Sequence, residues 1–106
     1  MAVKIITQRT VTPDKQAEVQ LLLRELRTKA ISQPGYLMGE TLTSVDNPNT
    51  YIVISTWQSL EDWKAWESNP DRRAIQTKIE TLLTTHSQMA VYTEQATTQV
   101  EEDQGP

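Results

Sequence analysis

The segment that most restricts the fold of this chain is residues 51–57, with the sequence YIVISTW. Its β-branched and aromatic side chains predict a β-strand, and successive side chains of a strand point to opposite faces of a sheet. Ile52 and Ile54 therefore point to one face, whereas Val53 and Trp57 point to the other. A strand that is apolar on both sides predicts a central position in a sheet whose two faces are both covered.

The first half of the chain predicts a strand, a helix and a turn. Residues 3–11 are rich in β-branched side chains with rough alternation, which is typical of a strand. Thr12 followed by Pro13 matches an N-cap with proline at the first helical position, and Pro34 with Gly35 ends the helix about 20 residues later. An apolar stripe at helical spacing supports this helix and consists of Val19, Leu22, Leu23, Leu26 and Ala30.

The second half predicts a hairpin, an interrupted helix and a last strand. The sequence DNPNT is typical of a turn and joins a strand at 36–45 to the strand at 51–57. Ser59 matches the N-cap of a capping box and opens a short helix. The sequence SNP interrupts that helix; Asn69 or Ser68 is predicted to cap the next helix, which restarts at Pro70, and a shorter strand follows at 88–94. The apolar stripe of the restarted helix consists of Ile75, Ile79, Leu82 and Leu83.

The resulting order, β-α-β-β-α-β, predicts an α+β domain with a ferredoxin-like fold, in which a four-stranded antiparallel sheet carries both helices on one face. We assign this domain to residues 1–96 and expect residues 97–106 to form a flexible acidic tail. The first and third strands are central in this topology and apolar on both faces, so the face without helices needs a cover. We predict that the cover is a second copy of the chain, in a homodimer packed through its sheet faces.

Composition and charge disfavour several classes of function. The net charge of −4 is unlike the basic surfaces of proteins that bind nucleic acid, and no apolar run reaches the roughly 18 residues of a membrane helix. The absence of cysteine removes thiolate metal sites and fits a cytoplasmic location. His86, the one histidine, follows the last helix, where the helix dipole favours it. We therefore expect neither a metal nor a cofactor.

All three tryptophans of the chain, Trp57, Trp63 and Trp66, lie within ten residues of one another. Trp63 and Trp66 are three residues apart on the predicted short helix and therefore share a face. They either pack this helix against the sheet or line a cavity for a flat molecule. The interrupted helix favours a cavity beside Trp66, because a broken helix leaves space above a sheet, whereas Trp63 is predicted to be core.

Two consecutive sequences around these tryptophans carry a family resemblance. They are PGYLMGETLTSVDNPNTYIV and VISTWQSLEDWKAWESNPDRRAI, in which a strand ends in tryptophan and a serine-to-aspartate helix start precedes two aromatic residues three apart. This pattern resembles the antibiotic biosynthesis monooxygenase family over about residues 2–95. The resemblance implies a ferredoxin-like protomer and a dimeric α/β barrel. Some members of the family oxidise electron-rich polycyclic phenols or quinols without metal or flavin, and others bind and degrade haem.

The haem-degrading branch matches this chain only in part. Trp66 stands where that branch has the tryptophan that presses on the haem, but Gln76 stands where it has the histidine that binds iron. The pair Gln8 and Arg9 replaces an asparagine and arginine of the first strand. An amide is a poor axial ligand for haem iron, so the sequence disfavours haem degradation. The quinol-oxidising members carry histidines in the helix that begins after the third strand, and this chain has none there.

Two functions remain open from the sequence. The favoured one is a cofactor-independent monooxygenase for an aromatic or phenolic small molecule, with Trp66 and either Trp57 or Trp63 as an apolar wall. Gln8, Gln76 and Arg9 would then bind a substrate oxygen or oxyanion, while no residue is identified as the catalytic base. The alternative is a binding domain of the same fold without catalysis. An atypical haem-binding monooxygenase without the histidine ligand is disfavoured.

Overall fold

The computed structural model describes residues 1–100 as one antiparallel sheet covered by helices on one face. The strands are β1 (Val3–Thr10), β2 (Tyr36–Thr43), β3 (Thr50–Trp57) and β4 (Gln88–Thr93), and their order across the sheet is β2-β3-β1-β4. The helices are α1 (Gln16–Ile31), α2 (Leu60–Glu67) and α3 (Pro70–Glu80). This is the ferredoxin-like α+β fold, and the predicted central strands, the first and third, are central.

The start of the first helix differs from the prediction. Pro13–Lys15 form a 3-10 turn before α1 begins, and the side chain of Thr12 makes no capping hydrogen bond within the described part of the chain. The backbone just before this turn is held by two hydrogen bonds to distant parts of the chain. The amide of Val11 donates to the carbonyl of Asn49 at 2.8 Å, and the amide of Thr12 donates to the carbonyl of Leu82 at 3.0 Å.

The break between α2 and α3 follows the predicted capping chemistry. Ser59 Oγ accepts a hydrogen bond from the amide of Asp62 at 3.1 Å at the start of α2. Asn69 Oδ1 accepts from the amide of Asp71 at 2.8 Å at the start of α3, and Pro70 occupies the first helical turn. Side-chain caps of this kind satisfy amides that have no partner within the helix. The two helices therefore have separate, well-defined starts.

Alternation along β1 separates the two faces of the sheet. Val3, Ile5, Thr7 and Arg9 are buried beneath the helices, whereas Gln8 is exposed on the open face. Beneath the helices, the buried apolar residues form two groups. The tryptophan cluster consists of Val3, Ile5, Ala30, Trp57, Trp63 and Trp66. The aliphatic cluster consists of Val11, Val19, Leu23, Tyr51, Ile75 and Ile79.

Two further observations concern the end of the chain and the length of its helices. Residues 94–100 have no regular secondary structure, and residues 101–106 of the predicted acidic tail lie outside the described residues. No helix within residues 1–100 combines the length and the apolar character needed to cross a bilayer.

Candidate functional site

A cavity of about 350 Å³ lies between the sheet and the helices. Strands β1, β2 and β3 form its floor, and all three helices contribute to its walls. The lining residues are Ile5, Thr7, Arg9, Leu23, Leu26, Arg27, Ala30, Tyr36, Gly39, Glu40, Thr41, Val53, Ser55, Trp57, Trp63, Trp66 and Arg72. This volume is within the range of small-molecule sites in proteins.

One wall of the cavity is aromatic. Trp57 stacks with Trp66 at a ring-centroid distance of 6.4 Å and an interplanar angle of 25°. It meets Trp63 edge to face at 5.9 Å and Tyr36 edge to face at 5.3 Å. Trp57 is fully buried, and its indole Nε1 donates to Ser55 Oγ at 3.1 Å, so this ring is held in one orientation. The result is a rigid apolar surface suited to a flat ring system.

Arg9 places a buried positive charge on the floor of the cavity. The side chain is 3% exposed. Its Nη2 donates to Gln76 Oε1 at 2.8 Å, while Nε is buried and has no hydrogen-bond partner among the described residues. Burial lowers the pKa of Arg9 to about 10; the nearby charge of Arg72 adds to this shift, and Glu80 opposes it. Arg9 therefore remains a cation at neutral pH.

A short chain of hydrogen bonds positions Arg9 from outside the cavity. The Nε2 of Gln76 donates to Glu80 Oε1 at 2.8 Å, and the hydroxyl of Ser87 donates to the same carboxylate. Burial alone would raise the pKa of Glu80, but hydrogen bonds from Ser87, Gln76 and His86 together lower it below its usual value. Glu80 thus stays ionised and fixes the amide of Gln76, whose carbonyl oxygen faces Arg9.

Arg72 brings a second guanidinium to the cavity from the start of α3. Its Cζ lies 5.1 Å from the ring centroid of Trp63, a cation–π contact. Its Nη1 donates to the carbonyl of Glu67 at 3.1 Å, across the break between α2 and α3. Burial lowers the pKa of Arg72, and the charge of Glu67 opposes this shift. The aromatic wall and the two cations therefore meet in one cavity.

The exposed lining residues place the mouth of the cavity at the edge strand β2. Arg27, Glu40 and Thr41 are exposed, and Arg27 Nη1 donates to Thr41 Oγ1 at 3.5 Å. Burial raises the pKa of Tyr36 and Arg27 opposes this shift, so the phenol keeps its proton at neutral pH. A Cβ atom at Gly39 would come within 2.4 Å of the Tyr36 hydroxyl oxygen, so glycine leaves room for this side chain.

The structure brings together some of the residues predicted for the site and separates others. Trp66, Trp57 and Arg9 line the cavity. Gln8 does not, because neighbouring residues of a strand point to opposite faces and Arg9 occupies the inner one. Gln76 is not among the lining residues either, and its amide instead binds Arg9 and Glu80. The expectation that both glutamines contact a ligand in this cavity does not match their positions.

Sequence reasoning missed several lining residues. Trp63 was favoured as a core residue and named only as the alternative to Trp57 in the apolar wall, yet it lines the cavity beside both Trp57 and Trp66. Arg72 was not among the predicted site residues, although it precedes the buried Ile75 by three residues and so shares its side of α3. That spacing was the available signal. Thr7 was predictable in the same way, since it alternates with Ile5 along β1.

Metal-ligating groups are sparse in the described part of the chain. Residues 1–100 contain no group of three or more histidine, aspartate or glutamate side chains placed to hold a metal ion. His86 is fully exposed, and its Nδ1 lies 3.6 Å from Glu80 Oε2, outside the cavity.

Comparisons with solved structures agree with the fold. A conserved protein from Methanosarcina mazei Go1 superposes with a TM-score of 0.85 at 15% identity, covering 90% of this chain and 94% of that one. SnoaB, a cofactor-independent oxygenase from Streptomyces nogalater, superposes with a TM-score of 0.80 at 22% identity, covering 91% of this chain and 95% of SnoaB. At these identities the similarity shows the fold.

Sequence comparison identifies the family. Protein SchA from Streptomyces halstedii is 22% identical over 69 residues, which are 65% of this chain and 18% of SchA. The match therefore spans less than a fifth of that longer relative. The model of the antibiotic biosynthesis monooxygenase family matches residues 2–78, which include β1, the hairpin, α2 and most of α3. The chain belongs to the antibiotic biosynthesis monooxygenase family.

Proposed function

We propose that this protein is a cofactor-independent monooxygenase that oxidises an aromatic or phenolic small molecule, such as a quinol or an anthrone, inside the cavity. The observation that carries the proposal is the cavity of about 350 Å³ with an indole wall and a buried guanidinium. Family membership supports oxygenase chemistry, and SnoaB, which shares the fold, is itself a cofactor-independent oxygenase.

The proposed chemistry uses a substrate that reacts with oxygen once it is ionised. Trp57 and Trp66 hold the flat ring system and exclude water. The cation of Arg9 stabilises the phenolate or enolate and so lowers the pKa of the bound substrate. The electron-rich anion then reduces molecular oxygen. For an anthrone, one oxygen atom enters the ring as the quinone carbonyl and the other leaves as water, together with the two hydrogens of the methylene group.

The residues that line the cavity are not suited to bind haem. No histidine of residues 1–100 lines the cavity, and Gln76, which stands at the position of the iron ligand, is engaged by Arg9 and Glu80. A carboxamide is in any case a poor ligand for haem iron. We therefore derive no step that involves haem.

A specific observation favours the alternative of a non-catalytic binding domain. The carboxylate that lines the cavity, Glu40, is exposed at the mouth, and the lining contributed by the described residues contains no histidine. A substrate with an ordinary phenol pKa would have to lose its proton without a buried base beside it. In this alternative the cavity binds the same kind of molecule and releases it without a chemical reaction.

Oxygen uptake distinguishes the two functions. The protein is incubated with anthrones, quinols and haem in an oxygen electrode, and the product from isotopically labelled O₂ is analysed by mass spectrometry. The proposal predicts uptake with an anthrone or quinol and one labelled atom in the product. Trp66→Ala should abolish turnover, while Trp66→Phe, which keeps a flat ring, should retain part of it. Tight binding without oxygen uptake across the panel would support the binding domain instead.

We also propose that the protein forms a homodimer through the open face of its sheet. Ile6 and Ile54 pair across β1 and β3 on this face, and Leu42, which pairs with Ile52, is 47% exposed. Contiguous apolar surface at the centre of a sheet favours burial by a partner. Sedimentation should give a dimer at micromolar concentration, and Ile54→Lys should convert it to a monomer. A monomeric wild-type protein would contradict the proposal.

A further inference from the structure

We propose that the ligand of this cavity is an aromatic anion, whose carboxylate or phenolate oxygen is bound by Arg9 and Arg72 while its rings lie against the tryptophans. The inference rests on the proposed function in one respect, the assignment of the cavity as the substrate site. It adds the chemical class of the ligand, which family membership leaves open.

The first argument is the incomplete hydrogen bonding of Arg9. A guanidinium has five N–H donors. Within residues 1–100 one hydrogen bond from this group is found, from Nη2 to Gln76 Oε1 at 2.8 Å. Nε is buried without a partner in that range, although the side chain is 3% exposed and lines the cavity. Buried donors are almost always paired in folded proteins. A guanidinium in a cavity wall that has one hydrogen bond for its five donors therefore indicates a ligand that accepts hydrogen bonds.

The second argument is the missing counter-ion. A buried charge is normally paired with an opposite charge. Glu80 reaches Arg9 only through the intervening amide of Gln76. Neither Arg9 nor Arg72 forms an ion pair with another part of residues 1–100. The ion pairs in that range join Lys15 to Glu18 and Lys29 to Asp71, and His86 Nδ1 lies 3.6 Å from Glu80 Oε2.

The third argument is the convergence of two like charges. Arg72 lies close enough to Arg9 to lower its pKa, and burial lowers the pKa of both groups. Two cations that face one cavity repel each other unless an anion lies between them. The planar guanidinium groups match the two oxygens of a carboxylate, or a phenolate oxygen bound from both sides.

The fourth argument is the composition of the remaining lining. Away from the arginines the cavity is formed mainly by indole rings and aliphatic side chains, including Leu26 and Ala30. Arg72 is itself stacked on Trp63, at 5.1 Å from the ring centroid, so charge and aromatic surface are adjacent. A small inorganic anion would leave this apolar surface unfilled. An aromatic acid or an acidic phenol fills both parts.

The test compares two probes of the same shape under anaerobic conditions, so that binding is measured without turnover. The probes are anthracene-2-carboxylate and the neutral anthracene-2-carboxamide. Calorimetry gives affinities, and quenching of tryptophan fluorescence reports occupancy, because all three indoles line the cavity. We expect the carboxylate to bind at least tenfold more tightly than the carboxamide. Equal affinities of the two probes would overturn the proposal. So would the absence of fluorescence quenching by either probe at millimolar concentration.

Three variants identify the groups responsible. Arg9→Met and Arg72→Met should each remove most of the preference for the carboxylate and leave carboxamide binding nearly unchanged. Arg73→Met is the matched control, because Arg73 is exposed beside Arg72 and does not line this cavity. Circular dichroism verifies that each variant is folded. A charge preference that survives both cavity substitutions, or that Arg73→Met removes equally, would refute the assignment.

A phenol probe separates the two sources of the anion. Binding of a hydroxyanthracene whose phenol is acidified by a nitro group should strengthen as pH rises through the pKa of that phenol if the phenolate is accepted. Binding of the carboxylate should stay constant over that range, because Arg9 remains charged below its pKa of about 10. The outcome is independent of the proposed reaction. Preference for anions without oxygen uptake would support this inference and contradict the oxygenase, whereas oxygen uptake with no charge preference would do the reverse.

Discussion

The tryptophan cluster and the aliphatic cluster lie under the same helices, yet they differ in how completely they are filled. In the aliphatic cluster, Val11, Val19 and Ile79 have no exposed surface, and Leu23 is the one buried member that lines the cavity. In the tryptophan cluster, all three indoles are nearly inaccessible and still border the cavity. Low exposure alone therefore does not distinguish a packed core residue from a residue that lines an enclosed site.

The difference has a physical origin in side-chain shape. Aliphatic side chains of α1 and α3 interlock over one end of β1 and β3, where Tyr51 fills the remaining space and donates a hydrogen bond to Gln16. At the other end, rigid indoles meet edge to face or at stacking distance, and α2 is a short helix of eight residues. Close packing stabilises the first region, and the space left in the second is available to a ligand.

The largest effect on stability is expected in the filled region. Ile79→Ala removes a side chain with no exposed surface and should lower the free energy of unfolding by about 3 kcal/mol. Urea denaturation followed by circular dichroism measures this change. Affinity for an aromatic ligand, corrected for the folded fraction, should stay within about twofold. A large loss of affinity with little loss of stability would contradict the division into two regions.

A smaller loss of stability is expected for Trp66→Ala, despite the larger side chain. One side of this ring faces the cavity, so the substitution should lower the free energy of unfolding by about 2 kcal/mol, below the roughly 3–5 kcal/mol typical of a fully packed tryptophan. Ligand binding should fall at least tenfold. The same denaturation experiment and a fluorescence titration give both numbers. If the variant is unfolded at 25 °C, Trp66 is a packed core residue and the comparison fails.

Arg9→Met is expected to increase stability at neutral pH, by about 1–2 kcal/mol, because it replaces a buried charge that lacks an ionic partner. The pKa of Arg9 in the folded protein is about 10, below its ordinary value in an unfolded chain. Above pH 10 the unfolded wild-type chain therefore holds a proton that the folded protein has released, so raising the pH favours the folded wild type. The difference in unfolding free energy between the variant and the wild type should shrink between pH 9 and 11, as measured by parallel urea titrations. A difference that does not depend on pH would be inconsistent with the lowered pKa of Arg9.

The smallest effect is expected at the break between α2 and α3. Asn69→Ala removes the cap of α3 and should lower the free energy of unfolding by about 1 kcal/mol. Because Trp66 and Arg72 flank this break, Asn69→Ala should lower ligand affinity as well as stability. Ile79→Ala, in contrast, should lower stability alone. Asn69→Asp, which retains a capping oxygen, should restore both quantities. Unchanged affinity in the alanine variant would show that the cap has no part in shaping the cavity.

The sequence was informative about the fold because periodicity and capping are local. The element order, both central strands and the caps at Ser59 and Asn69 depend on residues within a few positions of one another, and the structure confirms them. The 3-10 turn after Thr12 was missed because its cause is remote, a hydrogen bond to the carbonyl of Leu82. The sequence also placed Trp66 and Arg9 in a site, and both line the cavity.

The polar part of the site was harder to predict than its apolar wall. The hydrogen bond from Arg9 to Gln76 joins residues 67 positions apart, so it depends on how α3 packs against β1. Gln8 was placed in the site because the pair Gln8 and Arg9 resembles the asparagine and arginine of the haem-degrading branch, although alternation along a strand allows one of the two to face inward. Dimerisation through the open face stays a prediction.

The interruption at Ser68 and Asn69 has a consequence for how ligand selection in this fold can change. Residues 66 and 72 of an unbroken helix would point about 120° apart, so an aromatic ring and a guanidinium at these positions would lie on different faces of the helix. Two short helices with separate starts remove that constraint. Substitutions on α2 can reshape the surface that accepts the rings, while substitutions at the start of α3 alter the charge that is accepted. Shape and charge selectivity are thus carried by different helices, and they are coupled where Arg72 stacks on Trp63.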